Sequence, residues 1–139
     1  LFVLITILGP ISGAHFNPAV TLVSALRRET HVAIAALYVV VQTLGCISGA
    51  VLAHAMFALP LLQVATTVRA GHAQMLSDAV ATFALVFAIL GAVRFSPKAV
   101  PAIVAAVIAA GYWWTASTSF ANPAITIARA LSDTFAGIR

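Results

Sequence analysis

The chain has 139 residues, of which 63% are hydrophobic and only 7% are charged. A soluble domain usually carries about 25% charged residues, so this composition argues against a water-facing surface and, more firmly, against disorder. The net charge of +4 comes from scattered Lys and Arg residues, which form no basic stripe for nucleic acid. The remaining class is an integral membrane protein, all-α because open strands cannot cross a bilayer.

Two long stretches without formal charge, residues 30–68 and 99–128, can each hold a spanning helix of about 20 residues. Gly9–Pro10 and Gly13 are expected to break the first apolar segment. The chain begins inside an apolar run, so we expect a fragment truncated at both ends. In chain order the pattern predicts the end of a span at 1–12, a short helix at 17–28, spans at 31–58, 75–93 and 99–115, and a second short helix at 122–133.

The basic residues predict how the chain is oriented in the membrane. Arg27, Arg28, Arg94 and Lys98 fall on one side of the predicted spans, whereas Arg69 falls in the opposite loop. Because cytoplasmic loops are enriched in Lys and Arg, we expect the first group to be cytoplasmic.

A repeat relates two segments that lie 105 residues apart. Residues 12–27 (SGAHFNPAVTLVSALR) and 117–132 (STSFANPAITIARALS) are identical at seven of sixteen positions. The identities include an Asn-Pro-Ala tripeptide and the Thr two residues after it. Chance similarity within an apolar sequence is the alternative, and the matched flanks around both tripeptides argue against it.

Each Asn-Pro pair predicts the start of a helix, because Asn17 and Asn122 are favourable N-caps and Pro18 and Pro123 suit the first turn. A helix over residues 17–27 is roughly 16 Å long, about half of the hydrocarbon core. Three predicted spans separate the motifs, so the second short helix enters from the opposite face and the two N-termini meet near the midplane. The loops at 12–16 and 116–121 then need a pore or an occluded site to line.

HFNPAVT at residues 15–21, the second Asn-Pro-Ala and the three intervening spans resemble the aquaporin, or major intrinsic protein, family. The resemblance covers essentially the whole chain. It implies an aquaporin-like inverted repeat with two re-entrant half-helices, in a complete subunit of six spans that forms a homotetramer. It also implies a multi-pass protein of the cell membrane, here a bacterial inner membrane, that passes water and small uncharged solutes through the lipid bilayer.

The resemblance places both tripeptides, Asn17–Pro18–Ala19 and Asn122–Pro123–Ala124, in the pore. The asparagine amides would donate hydrogen bonds to the passing solute. The two helix N-termini, with about half a positive charge each, would repel cations.

The selectivity filter is where the sequence departs from the family pattern. Members usually have an Arg directly after the second Asn-Pro-Ala, and Ile125 stands there instead. Water-selective members often have His at the position of Ala110, and Ser119 takes the loop position of the same constriction. The fourth position would precede the chain. Three small or neutral side chains predict a wider opening that passes glycerol-like solutes or metalloid hydroxides such as undissociated arsenite.

Three further residues are candidates for supporting the pore loops. His15 either lines the pore or braces its loop. Gln42 is expected to bond a re-entrant loop. Asp78 aligns with a family Glu that accepts loop N–H groups, and an interface charge is the alternative.

Two other functions stay open at this stage. A coupled transporter would need a buried ionisable group, and Asp78 is the acid within a span. A non-conducting fragment is the other alternative. No enzymatic arrangement of Ser, His or paired Asp lies near either loop, and no cofactor or metal site is predicted because the histidines lack ligand spacing.

Overall fold

The computed structural model describes residues 1–69, 71–116, 118–135 and 137–138. Over these residues the chain is helical and contains no strand. The helices, in chain order, are α1 (Phe2–Ser12), α2 (Pro18–Leu26), α3 (Val32–Met56), α4 (His72–Phe95), a 3-10 turn (Pro97–Ala99), α5 (Val100–Trp114) and α6 (Pro123–Arg129).

Three helical segments within the described residues are long and apolar enough to cross a membrane. They are α3, α4 and Pro97–Trp114, with 25, 24 and 18 residues. Large apolar side chains such as Leu52, Phe83 and Phe87 lie exposed on them. Exposed apolar helices suit a hydrocarbon solvent, in which the backbone must satisfy its own hydrogen bonds. The predicted all-α membrane fold is therefore confirmed.

The first helix ends at Ser12, as predicted, but it is not broken at Gly9–Pro10 as the sequence suggested. α1 continues through Gly9 and Pro10 and is capped by Gly13, which has a left-handed φ of 75°. A proline removes one backbone hydrogen bond, and membrane helices tolerate this loss where neighbouring groups compensate. Gly13 ends the helix because glycine adopts the left-handed conformation without steric cost.

The sixth helix ends at Arg129, whereas the pattern predicted helix to residue 133. Its last carbonyls bond groups outside the helix: Arg129 accepts the N–H of Ile138 at 3.4 Å, and Ala130 accepts the N–H of Ala65 at 3.0 Å. Tight-turn bonds from the N–H groups of Leu131 and Ser132 to Ala128 and Arg129, at 3.1 and 3.2 Å, act together with these loop donors in place of a further α-helical turn. The fourth helix begins at His72, three residues before the predicted span.

The chain divides into two compact units, and two of the three chain boundaries between them fall directly before an Asn-Pro-Ala tripeptide. The first unit comprises Leu1–Phe16 and His72–Ala121, and the second comprises Asn17–Gly71 and Asn122–Arg139. In the first unit α5 packs against α1 and α4, and in the second α3 packs against α2 and α6. The core of the first unit consists of Ile5, Ala14, Ala81, Leu85, Val104 and Ala121.

In the second unit a set of hydrogen bonds, which we call the clasp, joins the segment after α3 to the segment after α6. The backbone N–H and hydroxyl of Thr66 donate to Asp133 Oδ1 at 2.9 and 2.8 Å. The N–H of Asp133 donates to Gln63 Oε1 at 3.0 Å. Arg69 donates to the carbonyl of Phe135 at 2.7 Å and lies over its ring.

A buried histidine makes a second connection between these segments. His54, only 3% exposed, lies near the end of α3. Its Nδ1 is 3.0 Å from the carbonyl oxygen of Leu61, and its Nε2 is 3.1 Å from the hydroxyl of Ser132. His54 therefore contacts the chain on both sides of the clasp.

The clasp is expected to weaken in acid. The two donors of Thr66 lower the pKa of the Asp133 carboxyl. Because this pKa is lower in the folded than in the unfolded chain, the ionised carboxylate stabilises the folded form at pH values above the unfolded pKa. The stabilisation is lost as the pH falls through the folded pKa. We expect the protection of the Thr66 amide from hydrogen exchange to be constant above about pH 5 and to decrease below about pH 4.

The matched control for this measurement is the Asp133→Asn variant. In this variant the Thr66 amide should be less protected from hydrogen exchange than in the wild type, and its protection should not depend on pH over the same range. Wild-type protection that stays unchanged to about pH 2 would contradict the assignment.

Candidate functional site

Both Asn-Pro-Ala tripeptides open a short helix. Asn17 Oδ1 accepts the N–H of Ala19 at 2.9 Å. Asn122 Oδ1 accepts the N–H groups of Ala124 at 3.1 Å and Ile125 at 3.4 Å. These bonds satisfy backbone donors that have no partner within the helix. The predicted N-caps are confirmed, and a proline stands in the first turn of each helix.

The threonine shared by both copies of the repeat makes the same contacts in each. Thr21 donates its N–H and hydroxyl to the carbonyl of Asn17 at 3.0 and 3.2 Å. Thr126 donates the same groups to the carbonyl of Asn122 at 3.1 and 3.2 Å. Sequence reasoning gave this threonine no role, although its identity in both copies was the available signal.

The two loops before the tripeptides adopt the same unusual backbone at matched positions. Left-handed residues cost about 1–3 kcal/mol each when they are not glycine, and they cluster at functional sites. Five of the six positions here are not glycine. The pairs, 105 residues apart, are Gly13 and Thr118 (φ 75° and 57°), Ala14 and Ser119 (46° and 59°), and Phe16 and Ala121 (49° and 35°).

Both asparagines are buried, with 4% exposure for Asn17 and 9% for Asn122. The helices that they begin, α2 and α6, contact each other in the second unit. With nine and seven residues, these helices are roughly 14 and 11 Å long, less than half of a hydrocarbon core. The arrangement buries two primary amides beside two helix N-termini, where the partial charge is positive.

Gln42 contacts the first short helix itself. Its Nε2 donates to the hydroxyl of Thr21 at 3.0 Å, whereas the sequence indicated a bond to a re-entrant loop. Its Oε1 is buried and accepts no hydrogen bond from the described residues. Gln42 thus joins α3 to the buried face of α2.

The loop at 116–121 is anchored to α4 by a residue that the sequence did not single out. The N–H of Ala116 donates to Ser77 Oγ at 2.8 Å. Asp78, the expected anchor, is the next residue, is half-buried and also makes an interaction of its own, so its role as an anchor stays a prediction. His15 is also half-buried, and its ring packs against Gly13, where an added Cβ would lie 3.2 Å from Nε2. A serine within a span carries no sequence signal that predicts such a contact.

The predicted filter residues belong to different units: Ala110 and Ser119 to the first, and Ile125 to the second. Ala110 is exposed near the end of α5, and Ser119 is half-buried in the following loop. Ile125 is half-buried in the first turn of α6. Within the second unit Ile125 lines a cavity of about 320 Å³ between α3 and α6, together with Cys46, His54, Phe57, Arg129 and Ser132. No metal-binding group of three His, Cys, Asp or Glu side chains occurs among the described residues.

Comparison with known proteins agrees with the resemblance. The family described as Major intrinsic protein matches residues 1–113. The chain is 55% identical over its whole length to Aquaglyceroporin AqpS of Rhizobium meliloti and spans 60% of that protein. No solved structure matches the chain.

More distant relatives match shorter parts. Probable aquaporin PIP2-7 of Oryza sativa is 36% identical over 98 residues, which cover 66% of the chain and 34% of the rice protein. Aquaporin-2 of Homo sapiens is 49% identical over 51 residues, which cover 37% of the chain and 19% of the human protein.

The contacts of Thr21 predict unequal effects of two similar substitutions. Thr21 is fully buried and accepts a hydrogen bond from the half-buried Gln42 amide, so Thr21→Val removes the partner of this donor. We expect the free energy of unfolding in detergent to fall by about 1–3 kcal/mol. Thr126→Val is the matched control and should lower the free energy of unfolding by well under about 1 kcal/mol. The hydroxyl of Thr126 donates to the carbonyl of Asn122, which already accepts the backbone N–H of the same residue. Equal losses would contradict the role given to Gln42.

Proposed function

The chain belongs to the major intrinsic protein family, and from this premise we propose that it forms part of a passive membrane channel for water and small uncharged solutes. The observation that carries the proposal is the pair of buried asparagines that begin the contacting helices α2 and α6. Each asparagine belongs to one copy of a repeat whose loops adopt matched left-handed conformations.

The chemistry of these motifs suits a neutral solute. An asparagine amide can donate to a water or hydroxyl oxygen, and a helix N-terminus carries about half a positive charge. A cation meets an unfavourable field at two such termini, whereas a neutral dipole can reorient. Residues 99–128 contain no formal charge that would offset this field. We therefore assign ion exclusion to the two tripeptides.

The solute preference is assigned to Ala110, Ser119 and Ile125. None of these side chains carries a charge, and the family's usual arginine, with its five donors, is replaced by isoleucine. A wider neutral filter favours glycerol-like solutes and metalloid hydroxides such as arsenite. The name of the Rhizobium relative, an aquaglyceroporin, supports a solute larger than water. The complete protein is proposed to be a homotetramer in the cell membrane.

A chimera tests the proposed function directly. Residues 1–139 replace the matching 60% of the Rhizobium aquaglyceroporin, and the purified protein is reconstituted in vesicles. Stopped-flow light scattering should show water and glycerol permeabilities above those of protein-free vesicles, without a rise in proton permeability. Permeabilities equal to those of empty vesicles would overturn the proposal.

The filter assignment predicts the effect of Ile125→Arg in this chimera. Arginine brings positive charge and fills the space that the smaller residues leave open. We expect the ratio of glycerol to water permeability to fall about tenfold, the scale of discrimination by a tightly fitting site. Ile125→Met is the matched control, since it keeps a neutral side chain of similar volume. A ratio that is unchanged or higher in the arginine variant would remove Ile125 from the filter.

The ion-exclusion assignment predicts a leak in Asn122→Asp. The carboxylate keeps an acceptor for the N-cap but loses the amide donor and adds a negative charge beside the helix N-terminus. We expect proton and K⁺ permeability to rise, measured with a pH-sensitive dye in the vesicles. The neutral N-cap variant Asn122→Ser should show no such rise. Normal water flow without an added leak in the aspartate variant would count against the electrostatic mechanism.

A further inference from the structure

We propose that Gly111 and Thr115 are positioning residues that seat Ser119 against α5 and thereby set the opening of the filter. The inference rests on the proposed function for the assignment of Ser119 to the filter. The seat itself, which we define as Gly111, Thr115 and Ser119, lies wholly within the first unit.

Gly111 provides space that no other residue would leave open. It is buried in α5, directly after the filter position Ala110. A Cβ added to Gly111 would lie 2.6 Å from the Cβ of Ser119 and closer still to its Oγ. Carbon atoms pack at about 3.5–4.0 Å, so the side chain of Ser119 occupies the volume that an alanine at position 111 would need.

Thr115 fixes the same serine through its backbone. The hydroxyl of Thr115 donates to the carbonyl of Gly111 at 2.6 Å and accepts the N–H of Ser119 at 2.6 Å. One hydroxyl therefore joins the end of α5 to the filter loop. Ser119 is held on two sides, by a hydrogen bond to its backbone and by contact of its side chain with the helix.

The backbone of this loop needs such support. Thr118 and Ser119 are consecutive non-glycine residues with φ of 57° and 59°. Left-handed backbone is costly for a serine and more so for a β-branched threonine, so it persists only where the surroundings determine it. The seat supplies contacts that hold Ser119 in this conformation.

The repeat shows which part of the seat is particular to the second loop. A bridging hydroxyl is present in both: in the first loop Ser12 Oγ donates to the carbonyl of Leu8 and accepts the N–H of Ala14, the position matched to Ser119, both at 3.4 Å. The residue 105 positions before Gly111 is Thr6, which has a side chain. The distinct feature of the second loop is therefore the close contact of the Ser119 side chain with Gly111.

The first experiment is a double-mutant cycle in the chimera. Gly111→Ala should displace Ser119 by about 1 Å from α5 and lower the ratio of glycerol to water permeability at least about threefold. Ser119→Gly removes both clashing atoms, so Gly111→Ala should have no further effect in the Ser119→Gly background. Gly91→Ala is the matched control, because a Cβ at Gly91 in α4 would contact nothing within 4 Å. An unchanged ratio in Gly111→Ala, or equal effects in both backgrounds, would overturn the inference.

The second experiment tests the seat through the accessibility of position 119, without measuring solute flow. In the 139-residue chain, Ser119→Cys is combined with Cys46→Ala and labelled with a maleimide in detergent. Gly111→Ala and Thr115→Val should each raise the labelling rate at least about threefold, whereas Thr115→Ser, which keeps the hydroxyl, should not.

These measurements separate the inference from the proposed function. Unchanged labelling in both Gly111→Ala and Thr115→Val would overturn the seat even if the chimera conducts. Raised labelling of the 139-residue chain, together with a chimera that passes no solute, would support the seat and overturn the channel assignment.

Discussion

The hydrogen-bonding need of the first turn of a short helix governs much of this structure. A helix N-terminus away from water needs partners for its free N–H groups, and an asparagine side chain supplies one at the start of α2 and of α6. The proline after it has no N–H to satisfy. The approach to each asparagine then requires left-handed backbone at three matched positions. The repeat in sequence is thus a repeat in backbone conformation.

The local part of this arrangement could be predicted from the sequence, because N-caps depend on neighbouring residues alone. Asn17 and Asn122 therefore cap as expected. Contacts between distant segments could not be predicted in the same way. Ser77 binds the N–H of Ala116 because of how α4 and α5 pack. The residues around Ser77 in the sequence do not predict this contact. Helix ends were likewise uncertain where a loop donor, such as Ala65, competes for the last carbonyls.

The two loops reach similar conformations with different side chains. At Gly13 the left-handed residue is a glycine, whereas the matched Thr118 has to adopt it at a steric cost. The second loop is held by the seat and by the bond to Ser77, and the first by the bonds of the Ser12 hydroxyl to Leu8 and Ala14.

The buried histidine near the end of α3 has a consequence for how the sequence can change. The carbonyl of Leu61 can only accept, so Nδ1 of His54 donates to it, and in a neutral ring Nε2 then accepts from Ser132. A substitution at position 54 that lacks the second acceptor leaves the serine hydroxyl without this partner. A substitution at position 132 that lacks a donor does the same to the ring. Positions 54 and 132 are therefore expected to covary, although 78 residues separate them in the chain.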